Sequence, residues 1–174
     1  MSQTADTIRK SMPNHVLLPQ VEQLLRQGRS VRLRTRGISM LPFIIGSVDS
    51  VLLRPATAHP RRGQIVLART LAGHYVLHRV LHTHADGSVT LRGDGNLSAC
   101  EHCRADAVCG TAVSLIRPGR PDINLYSPMR RHAAAVWMRL PALLRRIVLA
   151  VFRRTYLRRM LRRFPNVSPN PHTP

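Results

Sequence analysis

Lysine is nearly missing from this chain: of its 27 basic residues only Lys10 is a lysine, and the rest are arginines. A lysine general base in the body of the protein is thereby excluded. Acidic residues are few, eight in all, and none follows Pro128. Aromatic residues make up 4% of the chain, too few for basic strands interleaved with base-stacking rings, as RNA-binding sheets require. No helix-turn-helix pattern precedes the strand-rich region. No uninterrupted apolar run reaches the ~18 residues of a membrane span, which argues against a conventional transmembrane anchor. Met1 to Asn14 is polar and lacks the apolar core of roughly 7 to 15 residues that export requires, so the chain is expected to begin its life in the cytoplasm. Cysteine is limited to Cys100, Cys103 and Cys109, an odd number in one segment, which speaks against a disulfide framework and for a reducing compartment.

What is abundant is positive charge. A formal net charge of +19 over 174 residues requires an anionic neighbour, and nucleic acid and anionic lipid both qualify. The length suits one domain with a real core and an appendage. Residues 1–15 read as a flexible N-terminus. Val16 to Gly28 places Val21, Leu24 and Leu25 at helical spacing and stops at a glycine, the form of a short capped helix. Strand signals follow. Val31, Leu33 and Thr35 alternate with Arg32, Arg34 and Arg36, and the runs Ser47 to Leu53, Gln64 to Arg69, Tyr75 to Leu81, Ser88 to Arg92 and Ala107 to Ile116 are rich in Val, Leu and Ile between Gly, Pro and Asp. Residues 16–128 are therefore expected to form a mainly β domain, 129–164 a basic helical segment, and 165–174, NVSPNPHTP with its flank, a disordered tail.

The helical segment is amphipathic by projection. Val136, Trp137, Leu140, Leu144, Ile147, Val148 and Val151 share one side, while Arg139, Arg146 and Arg153 recur every seven residues on the other. The phase is lost after Arg153, where Arg154, Arg158 and Arg162 turn onto the apolar side, so a kink or second helix is expected there. Such a segment suits the interface of an anionic membrane, contacted through Trp137, Arg139, Arg145, Arg146 and Arg153.

Three segments of the β region carry candidate chemistry. In Gly37-Ile38-Ser39-Met40-Leu41-Pro42 a serine follows a strand, where its hydroxyl can act as a nucleophile and its backbone N–H can face an oxyanion; serines are equally common as plain turn residues. In Tyr75-Val76-Leu77-His78-Arg79-Val80 an imidazole sits in mid-strand, either a buried hydrogen-bonded side chain or a base. In Leu91-Arg92-Gly93-Asp94-Gly95-Asn96 a carboxylate occupies a tight turn, as a turn former or as support for an imidazolium.

Their order along the chain, G-x-S-M-x-P, then Asp49 before Val51-Leu52-Leu53, then H-R-V, then G-D-x-N, resembles the signal peptidase and SOS-repressor superfamily of serine peptidases. The resemblance covers about residues 16–117 and includes GRSVRLRTRGISMLP and RRGQIVLA. It implies a coiled β domain with a short N-terminal helix, and a Ser39–His78 pair of the histidine type, because histidine stands where the bacterial leader peptidases and self-cleaving repressors carry lysine. Asp94 matches the aspartate of G-D-x-N, and the Ser39 N–H is the implied oxyanion donor. Gly37 offers no hydroxyl to assist it. The family's further aspartate has no clean counterpart, with Glu101 and Asp106 as the nearby carboxylates, and the family's usual N-terminal membrane span has none.

The implied activity is a serine endopeptidase that cleaves a leader or signal-like segment. Its substrate, a peptide or protein with a cleavable leader, would bind extended along a β edge with small side chains beside the cut. Two other functions fit parts of the sequence: a nucleic-acid-binding protein related to the repressors, supported by the charge, and a degenerate peptidase fold that only binds peptides. No cofactor is expected. Cys100-Glu101-His102-Cys103 with Cys109 offers one C-x-x-C where a structural zinc site uses four converging ligands, commonly from two such pairs, and no metal is assigned to it.

Overall fold

The computed structural model describes residues 13–157; Lys10, Arg158, Arg162 and the tail 165–174 lie outside the described residues. The described chain is mainly β, with an N-terminal helix and two helices at the C-terminal end. Helix α1, Asn14–Arg26, ends where Gly28 adopts φ +81° and donates its N–H to the Leu25 carbonyl. The strands are β1 (Val31–Arg34), β2 (Ser50–Pro55), β3 (Ile65–Arg69), β4 (Tyr75–Thr83), β5 (Ser88–Arg92), β6 (Glu101–Arg104), β7 (Val108–Ile116) and β8 (Ile123–Asn124). They form one antiparallel sheet in the order β1-β2-β7-β3-β4-β5-β6, with β8 added to β7. Register shifts at Leu52/Leu53, Leu67/Ala68 and Val80/His82 mark bulges, and bulges increase local twist and bend the strands that carry them.

Alternation along the strands divides the core in two. One cluster gathers Val21 and Leu25 of α1 with Leu33, Val51, Leu53, Ile65, Leu67, Ala112 and Leu115. The other gathers Val66, Ala68, Val80, Val89, Leu91, Cys103 and Val108 on the opposite face. Strands β6 and β8 were not foreseen. Glu-His-Cys-Arg has one apolar position, Cys103, and it is the one that points into the core.

The C-terminal segment is not the one continuous amphipathic helix up to Arg153 that the projection expects. Leu140-Pro141 breaks it into α2 (Pro128–Arg139) and α3 (Ala142–Phe152), because proline offers no N–H to continue the ladder and disfavours helix at the residue before it. A π-helical turn, Arg153–Leu157, follows. The segment is not an appendage either. Trp137 and Leu149 form a third core cluster with Leu41, Ile45 and Val48 of the β1–β2 connection, joined by Phe43, Leu97, Leu140, Phe152 and Tyr156. Two of the residues expected to touch a membrane are therefore inside the protein: Trp137 is 5% exposed and Arg145 2%.

Candidate active site

Ser39 lies in the long connection between β1 and β2, which is tied down at both ends. Thr35 donates its N–H and its hydroxyl to the Asp49 carbonyl (3.0 and 2.8 Å), and Ser47 donates its N–H to the Thr35 carbonyl (2.7 Å). The Asp49 carboxylate is fully buried and accepts the Ile45 N–H (2.7 Å). Arg117 of the segment after β7 reaches it with two hydrogen bonds, Nε to Oδ1 at 2.7 Å and Nη2 to Oδ2 at 2.6 Å. The planar guanidinium matches a carboxylate in this two-point form, so one buried ion pair anchors the loop that presents Ser39. Ser39 itself is half-buried.

The turn after β5 packs against that loop through backbone. The Gly95 N–H donates to the Ser39 carbonyl at 2.7 Å. A Cβ at Gly95 would lie 2.6 Å from the Ile38 carbonyl oxygen, and one at Gly93 would strike the Ser39 carbonyl. The same Cβ at Gly93 would lie 3.1 Å from His78 Nε2. The glycines of Gly93-Asp94-Gly95-Asn96 are thus required by close approach, and the Ser39 carbonyl and His78 Nε2 border the same space above Gly93, with no hydrogen bond between Ser39 and His78. His78 pairs with Val66 in the β3–β4 ladder, is buried, and has Nδ1 without a hydrogen-bond partner. Burial pushes its pKa below the ordinary 6.5, opposed by the negative charges of Glu101 and then Asp94. Burial thus favours the neutral imidazole over the imidazolium.

Asp94 does not hold His78. Its carboxylate is taken by Arg79, Nε to Oδ1 at 2.8 Å and Nη2 to Oδ2 at 2.6 Å, with both side chains buried. Strand alternation accounts for this: neighbours on β4 face opposite sides, so His78 lies with Val66 and Val80 while Arg79 points to the side of Ile65 and Phe43. Arg79 also donates Nη1 to the Gly63 carbonyl (2.8 Å) and lies 5.2 Å from the centre of the Phe43 ring. Within H-R-V the sequence gives Arg79 no role of its own, although it stands beside His78 on the strand that pairs with β5, the strand that leads into the Asp94 turn.

The helices brace the same turn. Trp137 donates Nε1 to the Asp94 carbonyl at 3.0 Å. Arg145 donates to the carbonyls of Asn96 and, at 3.5 Å, Leu97, and its guanidinium lies 5.7 Å from the Trp137 ring. Glu101, at the start of β6, is half-buried and on the same sheet face as Leu91 and Val80. Asp106 instead sits in an exposed turn and pairs with Arg104 at 3.4 Å. The cysteines do not converge: Cys100 is exposed, while burial pushes the thiols of Cys103 up to about 11 and of Cys109 up to about 12. His102 faces away from Cys103, and among the described residues no three metal-binding side chains gather. No helix among the described residues is long and apolar enough to cross a membrane. No family model and no curated protein matches the chain.

Proposed function

We propose that the protein is a serine endopeptidase of the signal-peptidase type in its histidine form. The observation that carries this reading is the junction at Gly93, where the Ser39 main chain and His78 Nε2 border the same space. Ser39 Oγ attacks the scissile carbonyl while His78 Nε2 takes its proton; the new C–O bond forms as the carbonyl becomes an oxyanion, which the Ser39 N–H stabilises. The proton then passes to the leaving amine as the C–N bond breaks. Water repeats the sequence on the acyl-enzyme, releasing the acid and restoring Ser39.

Asp94 serves as a positioning residue, fixing the glycine turn through Arg79, and the Glu101 charge favours the imidazolium as it forms. Strand β1 is a sheet edge that runs into the Ser39 turn, so an extended leader peptide can add to it by main-chain hydrogen bonds. Three free thiols fit a cytoplasmic setting, at the periphery of a membrane. The reading is tested by incubating the full chain with leader-like peptides that carry small residues before the cut. Cleavage that disappears in Ser39→Ala supports it, and cleavage undiminished in that variant refutes it.

A further inference from the structure

Helix α3 is built inside out. Its charged Arg145 faces the β domain with Leu149 and Phe152, while Leu143, Leu144, Ile147, Val148 and Val151 face solvent with exposures of 67%, 47%, 52%, 42% and 55%. At 3.6 residues per turn these five aliphatic side chains fall within an arc of about 140° on the side away from Arg145. Val136 of α2 is exposed as well. Arg146 and Arg153, seven residues apart, run along one flank of the arc, and Arg139 of α2 and Arg154 of the turn after α3 are exposed as well. A helix that turns five aliphatic residues outward and an arginine inward is not arranged to be covered by water.

We infer that this face docks on an anionic membrane surface, with the aliphatic ridge among the acyl chains and the arginines among the phosphates. The charge pattern selects this occupant. A second copy would bring another chain of +19 against the same arginines, and no acidic residue follows Asp122 to compensate it. The residues that continue the chain, Arg158, Arg159, Arg162 and Arg163 among them, carry the same sign. Anionic headgroups supply the missing charge. The helix lies on the bilayer because it is too short and too one-sided to cross it.

Docking here also reaches the candidate active site. Arg145 of α3 and Trp137 of α2 hold the carbonyls of Asn96, Leu97 and Asp94, so a membrane-bound α3 sets the Gly93 junction at a fixed height and orientation over the bilayer. That consequence rests on the peptidase reading; the docking itself does not.

Co-sedimentation of the full chain with phosphatidylcholine vesicles, with and without phosphatidylglycerol, tests the inference. Binding is expected with phosphatidylglycerol and should weaken as salt rises. Ile147→Glu/Val151→Glu should lower partitioning more than about tenfold, since both exposed side chains lose their burial in lipid, and Arg146→Glu/Arg153→Glu should lower it on the anionic vesicles. Ile147→Glu/Val151→Glu should keep the parent's circular dichroism and melting temperature, which separates lost docking from lost folding. Unchanged partitioning of this variant overturns the inference, as does a lipid-independent dimer in sedimentation velocity that the variant dissolves. Ser39→Ala should bind vesicles like the parent; a parent chain that docks but cleaves no leader-like peptide would remove the peptidase reading and leave the docking face standing.

Discussion

The indole Nε1 of Trp137 donates a 3.0 Å hydrogen bond to the main-chain carbonyl of Asp94, linking the C-terminal helices to the turn that borders Ser39 and His78. The helices therefore belong to the architecture of the candidate site, and Leu41, Ile45 and Val48 of the Ser39 loop depend on them for burial.

Trp137→Ala removes this bond and the largest buried side chain of the third core cluster. Loss of a buried aromatic side chain costs about 3–5 kcal/mol, and thermal unfolding should show it. A chain ended after Pro128 should lose the cluster entirely and expose the Ser39 loop to protease, whereas a freely detachable helical segment would leave the loop as protected as in the parent.

The pair Arg79–Asp94 should behave as a unit. Arg79→Met leaves a buried carboxylate without its partner, at about 3–5 kcal/mol. Asp94→Asn weakens the same contact from the other side, so the double variant should be less stable than the parent by much less than the sum of the two. Urea unfolding of the four proteins measures this coupling. Strict additivity would show that the two residues stabilise the turn independently.

His78 should leave its mark on two pH profiles. Its folded-state pKa lies below the ordinary 6.5 because burial disfavours the charged ring. Between the two values the unfolded chain holds a proton that the folded chain lacks, so this residue's contribution to stability is present above 6.5 and is lost as pH falls through the folded value. The acid limb of kcat/KM should likewise fall below pH 6.5, since that limb reports the free enzyme's base. His78→Ala should reduce turnover about as much as Ser39→Ala, with the double variant scarcely worse than either. A limb above pH 6.5, or full activity in His78→Ala, would assign the base elsewhere.

The sheet was legible where strands alternate. Val31-Arg32-Leu33-Arg34 reads as a half-buried strand and is one, and Tyr75 to Leu81 reads as a strand by its Val and Leu residues, two positions short of its end at Thr83. Glu101-His102-Cys103-Arg104 was not, because three of its four residues are polar and its cysteine suggested metal chemistry instead of an edge strand. The helical projection failed at Trp137 and Arg145 for a different reason. Periodicity sorts residues by polarity, yet the unbonded carbonyls of Asp94, Asn96 and Leu97 need donors, and an indole and a guanidinium supply them from within the protein. Asp94 shows the same limit: chain order brings Gly-Asp-Gly-Asn to the site, but strand alternation decides that Arg79 and not His78 receives the carboxylate.

The most direct measurement is labelling of the full chain with a serine-directed fluorophosphonate, followed by mass spectrometry of its peptides. A single adduct on Ser39, absent in Ser39→Ala and formed far more slowly in His78→Ala, is the predicted result. An adduct on another residue, or labelling of Ser39 at the parent's rate in His78→Ala, would contradict the Ser39–His78 assignment.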